Sequence, residues 1–483
     1  MNELFTVSSI CVLFPKQENV RGYFILLLLC FSFSCSNQQK SEPETTDSNT
    51  PLHLLSPAYK VPYGIPSEGS IKEILDRMWA YLDKETPTQL IDRTTEQEIT
   101  DYSEINQNTG LRQGAFRLDS YEWGVAYAGM TLVGEVTGDK KYSDYTTCRL
   151  QFISEVVARS RNITYDSPSG QAPLFRAVVS PRALDDCGSM CAAFIKASYQ
   201  EGAPDYSAII HNYMNWIMNG QMRLSDGTLA RNRPQLNTLW LDDMFMSIPA
   251  LAWMGKYTGD WKYYDEAVRQ VRQFASRMFV PEKGLFMHGW VQDMAEHPTF
   301  FWGRANGWAI MTLTEVLEVL PENHPGYQDV LSLFRQHLKG LAALQSGEGL
   351  WHQLLDRNDS YLETSASAIY IYCMARGINR GFLDPLVYGP PALLAWNAVS
   401  RQVNETGQVT NTCVGTGMAF DPAFYYYRPV NVFAAHGYGP VLLAGGEILA
   451  LLKHTYPKMN DNAVQFYLEK VETDRPIFEV EAR

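Results

Sequence analysis

VGEVTGDKKYSDY, residues 133–145, returns 121 residues further on as MGKYTGDWKYYDE, residues 254–266. Both copies carry Thr-Gly-Asp-x-Lys-Tyr. Each follows an apolar stretch and precedes an amphipathic one. In the second copy Tyr264, Val268, Val271, Ala275 and Met278 recur at spacings of three and four, one face of a helix. The TGD segment therefore reads as a glycine stop followed at once by a new start.

If 121 residues are two units, further units should lie at half that spacing, and they do. Polar or charged residues head apolar, Gly- and Ala-rich stretches at SYEWGVAYAGMTLVG (Glu122, Trp123), LDDCGSMCAAFIKA (Asp186), WLDDMFMSIPALAWM (Asp242), FWGRANGWAIMTLTEVL (Arg304), SYLETSASAIYIYCMA (Glu363) and HGYGPVLLAGGEILALL (His436). Successive steps are 63, 56, 62, 59 and 73 residues. Each unit pairs a helix apolar all round, which must be buried on every side, with an amphipathic helix that needs burial on one side. Six such pairs closed on themselves give an inner and an outer layer of helices, an all-α (α/α)6 toroid. Six units without polar capping repeats favour closure over an open solenoid. β-Structure is expected only in short connectors. Inner helices of such a ring run parallel, so Glu122, Asp186, Asp242, Arg304, Glu363 and His436 should surround one mouth.

Composition narrows the partners. The 483 residues carry a net charge of −13 and no basic run of the nucleic-acid-binding kind, which argues against nucleic acid. Aromatics reach 12 %, with 27 Tyr and 11 Trp, enough to line a ring-binding cleft or to enlarge the core. Eight cysteines do not make a disulfide framework in so long a chain, and Cys187 and Cys191 read as buried thiols. At the N-terminus, Lys16 and Arg21 precede GYFILLLLCFSFSC, too short to span a bilayer and suited to a signal sequence. Residues 1–35 are read as a lipoprotein signal peptide with Cys35 as the lipidated residue and Cys30 as the second candidate. Residues 36–55 are a polar tether and 56–483 the catalytic domain. The membrane is then met only through the lipid anchor, in a bacterial lipoprotein that is periplasmic or held at the outer membrane.

The chemistry is expected at the mouth. Asp242 and Asp243 open an otherwise apolar helix with Trp240 just before them, and Asp186 heads the neighbouring inner helix. A helix N-terminus lowers a carboxyl pKa, whereas a general acid needs it raised by burial or by a second carboxylate. Asp186 and Asp242 are the candidate pair. The other reading makes them, with Asp185 and Asp243, helix caps. GLFMHGW (284–290) and GLWHQLL (349–355) are two copies of one connector and place His288 and His352 in phase, with Arg231 at the same place one unit earlier. Arg304 and Trp308, four apart in WGRANGW, share a helical face and suit a carboxylate fork beside a stacking plane for a uronic acid, or else a brace and a core ring. No motif calls for a metal or a cofactor.

LDDCGSM, TLWLDDMFMSIPALA, FFWGRANGWAIMTLTEVLEVLP, GLWHQLLDRNDSYLETSASAIYIYCMARGINRGFLD and YYYRPVNVFAAHGYGPVLLAGGEIL, in this order, resemble the unsaturated rhamnogalacturonyl hydrolases, glycoside hydrolase family 105. The resemblance runs from about Ile71 to the late 450s. It implies an (α/α)6 barrel that removes a Δ4,5-unsaturated uronic acid from the non-reducing end of oligosaccharides left by polysaccharide lyases. It implies Asp242 as acid/base, Asp186 as the second carboxylate, and His288, Arg304 and Trp308 as substrate contacts. His352, Glu363 and Trp240 are carried with them as substrate-binding residues. Ala305 stands where the family has Gly, and Asp243 where many relatives have Gly or Thr. The implied mechanism protonates C4 of the C4=C5 vinyl ether and adds water at C5. Three other readings stay open: an inverting glycosidase using Asp186 and Asp242 on the same toroid, a sugar epimerase with His288 and His352 as bases, and a non-catalytic glycan-binding surface lipoprotein.

Overall fold

The computed structural model describes residues 64–161, 163, 173–297, 299–459 and 464–470, together with 45–46 and 48–49. The signal sequence, Cys30, Cys35 and nearly all of the tether lie outside the described residues. Within residues 1–55 the described part is a turn in which the Asn49 amide donates to the Thr46 carbonyl. Ser56–Arg483 forms the compact unit that holds every element below.

Among the described residues, twelve helices build two concentric layers. The outer layer holds α1 (Glu68–Glu85), α3 (Lys140–Ser160), α5 (Ser207–Asn215), α7 (Trp261–Met278), α9 (Tyr327–Ala342) and α11 (Pro385–Ser400). The inner layer holds α2 (Tyr121–Thr137), α4 (Leu184–Ala197), α6 (Ile248–Thr258), α8 (Gly303–Val319), α10 (Thr364–Asn379) and α12 (Tyr438–His454). Each inner helix packs on the next, and α12 packs on both α10 and α2, so the ring closes. The molecule is an (α/α)6 toroid, as the repeat implies. Burial separates the layers. Fifteen of the seventeen residues of inner helix α8 are buried, against eight of eighteen in outer helix α7, where Tyr264, Val268, Val271 and Met278 face in.

The TGD repeat has a local cause. Gly138 and Gly259 adopt φ of 72° and 73°, the left-handed geometry that ends a helix without a Cβ clash. Each glycine amide donates to the carbonyl four residues back. The next residue, Asp139 or Asp260, caps the following helix by accepting from the amide of Lys141 or Lys262. Inner helix, turn and outer helix are thus joined by two residues.

Among the described residues, strands lie in connectors and in one hairpin after α12, where Tyr456–Met459 pairs with Val464–Tyr467. Thr238–Trp240 pairs antiparallel with Gly289–Val291, Phe279–Val280 with Leu285–Phe286, and Trp351–His352 with Leu362–Glu363. One expectation needs correction. Asp242 does not open a continuous α-helix: Leu241–Met244 is a 3-10 turn and α6 begins only at Ile248, with Pro249 in its first turn. The two acids therefore sit on a tight turn between strand and helix, which sends their side chains to different places. The longest repeat step, 73 residues, corresponds to the long connection between α11 and α12, and residues 413–434 of it lie over the mouth.

Candidate active site

A two-stranded ladder brings Asp242 and His288 together. Trp240 pairs with Gly289, and the Leu241 amide donates to the His288 carbonyl at 2.9 Å, so the next residue on each strand meets the other. The Asp242 Oδ2 lies 3.0 Å from His288 Nε2, and His288 Nδ1 lies 2.6 Å from the Tyr425 hydroxyl. His288 is 1 % exposed and Asp242 14 %, which leaves the carboxylate as the accessible end of this chain of groups. Oδ1 of Asp242 has no hydrogen-bond partner among the described residues. Tyr425 comes from the short helix Pro422–Tyr426, capped by Asp421, in the long α11–α12 connection. Gly289 makes room for that connection, since a Cβ there would collide with the Met418 side chain.

Asp243 turns the other way. It is fully buried, and Arg231 holds it through Nε and Nη2 at 2.5 to 3.0 Å. The second edge of the same guanidinium takes Asp185 at 2.8 and 3.0 Å. Burial pushes the Asp243 carboxyl up and the Arg231 charge opposes it. The Arg231 and Arg233 guanidinium groups stack against the Trp240 ring at 4.6 and 4.5 Å, while the indole N–H donates to the Arg233 carbonyl. Trp240 is thereby fixed at the rim, 9 % exposed.

Asp186, expected as the second carboxylate, is paired with an arginine. Arg176 clasps it through both terminal nitrogens at 2.8 and 3.2 Å, and the Arg182 amide donates to it at 2.8 Å. The physical reason is the helix twist at the start of α4, which points adjacent acids in different directions. Asp185 is the one that shares Arg231 with Asp243, and Asp185 and Asp242 both act electrostatically on the Tyr121 phenol and on Asp243. Asp185 is therefore the acid of that pair joined to the Asp242–Asp243 turn. Across the mouth, the Tyr121 hydroxyl bonds His436 Nε2 at 2.5 Å, and Glu122 lies 3.4 Å from the same nitrogen. Burial pushes the Glu122 carboxyl up. Burial, then the Arg304 charge, hold the His436 imidazole well below its usual range.

Arg304 and Glu363, at the heads of α8 and α10, are covered by the α11–α12 connection. Arg304 is 1 % exposed, and its two terminal nitrogens donate to the carbonyls of Cys413 (2.6 Å) and Val414 (2.7 Å), with Ser365 Oγ at 3.3 Å. Its fork is thus taken by backbone, which corrects the expectation of a free carboxylate clamp. The guanidinium lies over Trp302 at 4.7 Å, and its Nε–H is buried without a partner. Glu363 is fully buried, caps α10 by accepting from the amides of Ser365 and Ala366, and accepts from the Cys413 amide at 2.9 Å. It is a brace, not the substrate contact expected. Trp308 is buried, stacked on Phe245 at 4.9 Å and edge-on to Tyr121 at 6.4 Å. His352, half-buried, bonds through Nδ1 to the Ser360 carbonyl.

Tyr425, Tyr121 and Arg231 in its bridging role were missed from the sequence. The extra length of the last repeat step was the signal for Tyr425, because an insertion at the mouth end of a toroid lands over the site. Among the described residues no three His, Cys, Asp or Glu side chains converge as a metal site. Cys187, Cys191, Cys373 and Cys413 are buried free thiols.

Residues 90–452 match the model of Glycosyl Hydrolase Family 88. An unsaturated 3S-rhamnoglycuronyl hydrolase of Alteromonas sp. is 31 % identical over 220 residues, 44 % of this chain and 52 % of that protein. The unsaturated rhamnogalacturonyl hydrolase YesR of Bacillus subtilis is 29 % identical over 219 residues, 45 % of this chain and 61 % of that protein. The chain thus spans about half to three-fifths of the length of these curated relatives. A crystal structure of a possible member of the GH105 family from Salmonella enterica superposes with a TM-score of 0.61 at 22 % identity, covering 83 % of this chain and 97 % of that one, which shows the shared fold.

Proposed function

Because the chain belongs to Glycosyl Hydrolase Family 88, we propose that it is a glycoside hydrolase that removes a Δ4,5-unsaturated uronic acid from the non-reducing end of lyase-generated pectic, rhamnogalacturonan-type oligosaccharides. The observation that carries this reading is the division of labour between Asp242 and Asp243. One faces the mouth on a histidine support, and the other is locked in a buried ion pair. Only one carboxylate of the turn is then available to move a proton, which suits hydration of a vinyl ether by a single acid/base.

Asp242, protonated, gives its proton to C4 of the C4=C5 bond, and positive charge develops at C5 and the ring oxygen. The carboxylate so formed takes a proton from a water that adds at C5. The product is a hemiketal, which opens and releases the aglycone. One group serves as acid and then as base, unlike the paired carboxylates of anomeric displacement. Asp185, Tyr121, Trp240 and the Glu122–His436 pair surround the sugar, while Arg304 and Glu363 tie the α11–α12 connection to the ring and Trp308 packs on Phe245.

The test is loss of the ultraviolet absorbance of an unsaturated disaccharide, run in heavy water. Hydration destroys the conjugated double bond and leaves deuterium at C4. An inverting glycosidase would release the unsaturated uronic acid first, its double bond lost only in a later ring opening that takes deuterium at C4 without facial selectivity, whereas the enzymatic hydration is stereospecific; a binding lipoprotein would change nothing. Relatives carry names with two different glycans, rhamnogalacturonyl and 3S-rhamnoglycuronyl. Both unsaturated substrates belong in the assay, with the rhamnogalacturonan-derived one expected to turn over faster. We place the enzyme on a lipid anchor at Cys35, in the periplasm or at the outer membrane. Cys35→Ser should move it to the soluble fraction with activity intact, and retention in the membrane fraction would refute the anchor at that residue.

A further inference from the structure

A count of protons along the Asp242–His288–Tyr425 chain leads beyond the assignment of the acid. The Tyr425 oxygen accepts the Ala419 amide proton at 3.0 Å. Its own proton has one acceptor in reach among the described residues, His288 Nδ1 at 2.6 Å. Burial keeps the phenol protonated by pushing it up. A ring nitrogen that accepts a hydrogen bond carries no proton, so the imidazole proton sits on Nε2 and is donated to Asp242 Oδ2 at 3.0 Å. Oδ2 is therefore occupied as an acceptor, and the proton that Asp242 delivers must ride on Oδ1, the oxygen left free.

We propose that Tyr425 is a positioning residue that fixes the Nε2–H tautomer of His288 and thereby commits the transferable proton to Oδ1 of Asp242. The proposal rests on Asp242 being the proton donor. The support is rigid on every side. The Tyr425 ring packs against Phe300, Trp302 and His288 with centroids 5.2 to 6.3 Å apart, and Asp421 caps the short helix that carries it. Without the phenol proton the imidazole is free to protonate at Nδ1 instead. Nε2 would then present a lone pair to Asp242, and the acid proton would be drawn to Oδ2, away from the sugar. Tyr425 does not touch the reacting atoms, and its loss should appear in turnover and not in binding.

The experiment is nitrogen NMR of the 15N-histidine-labelled full-length protein, with the His288 signals identified by their disappearance in His288→Gln, together with steady-state kinetics of Tyr425→Phe. The wild type should show His288 with a protonated Nε2 and an unprotonated Nδ1. Tyr425→Phe should show a mixture of tautomers, a kcat about tenfold lower, the size of one lost buried hydrogen bond, and a KM within about twofold. A wild-type His288 protonated at Nδ1 overturns the proposal whether or not the variant folds. So does a Tyr425→Phe that keeps both the Nε2–H tautomer and the wild-type kcat. The spectrum of the free protein is independent of chemistry, so a failure of Asp242 as the acid, seen as an active Asp242→Asn, is read separately.

Discussion

Arg231 encloses Asp243 through Nε and Nη2 while its outer edge holds Asp185, so one guanidinium ties the turn before α6 to the start of α4. This is a buried pair inside a triad, with Asp243 at zero exposure. Removing one partner leaves an uncompensated charge, which costs about 3–5 kcal/mol. Arg231→Met should lower stability to urea by that amount. A loss below about 1 kcal/mol, the value of an exposed pair, would mean that the triad does not seat the turn.

Glu363 distinguishes a brace from a substrate contact. It accepts two helix amides, a hydroxyl and the Cys413 amide, and has no exposed surface. Glu363→Gln should destabilise the protein by about 1–3 kcal/mol, the range for a lost cap or a hydrogen bond to a charged group. KM should stay within twofold of wild type. A KM raised tenfold in a protein of unchanged stability would return Glu363 to the substrate.

Arg304 gives a similar contrast. Its terminal nitrogens fasten residues 413 and 414, so Arg304→Lys, with a single ammonium, should loosen the connection that carries Tyr425. Hydrogen exchange at residues 413–425 should speed up. Activity should fall by a similar factor on a free uronate and on its methyl ester. A loss confined to the free acid would show that Arg304 does clamp the carboxylate.

The His436–Glu122 pair sets a pH dependence. Burial and Arg304 lower the folded-state pKa of His436, so the neutral imidazole favours folding above the unfolded value of about 6.5. That stability is lost as pH falls through the depressed folded-state pKa. Glu122 shifts the opposite way, since its raised pKa gives stability that is full below the unfolded value and declines as pH rises. Between pH 7 and 5 the Tm of the wild type should therefore fall more steeply than that of His436→Gln. Parallel curves would remove His436 from the acid limb.

How much of this was legible in the sequence follows from what each signal depends on. The toroid was legible because a TGD turn needs a left-handed glycine and a capping aspartate, both local requirements that leave a fixed trace. Repeat phase put Asp242 and His288 at one end of the ring, since a connector residue and a helix head recur there, but not their contact. Side-chain direction did not follow. Adjacent acids such as Asp185 and Asp186 differ by a helical twist that the sequence leaves open, and the 3-10 turn at Leu241–Met244 broke the assumed helix register. Arg304 and Glu363 looked like site residues because polar groups in apolar helices mark either chemistry or bracing. Their partners, the backbone of Cys413 and Val414, lie in a connection with no periodic pattern to place it.

The most direct measurement is loss of the double bond by Asp242→Asn beside Asp243→Asn. Proton transfer by a placed side chain is worth roughly 10²–10⁴ in rate. Asp242→Asn, with its carboxamide still facing His288, should fold normally, bind an unsaturated disaccharide and lose kcat by about that factor. Asp243→Asn, deprived of its charge against Arg231, should lose several kcal/mol of stability while the folded fraction turns over within a few-fold of wild type. An active Asp242→Asn beside a folded but inactive Asp243→Asn would contradict the assignment of Asp242 as the acid.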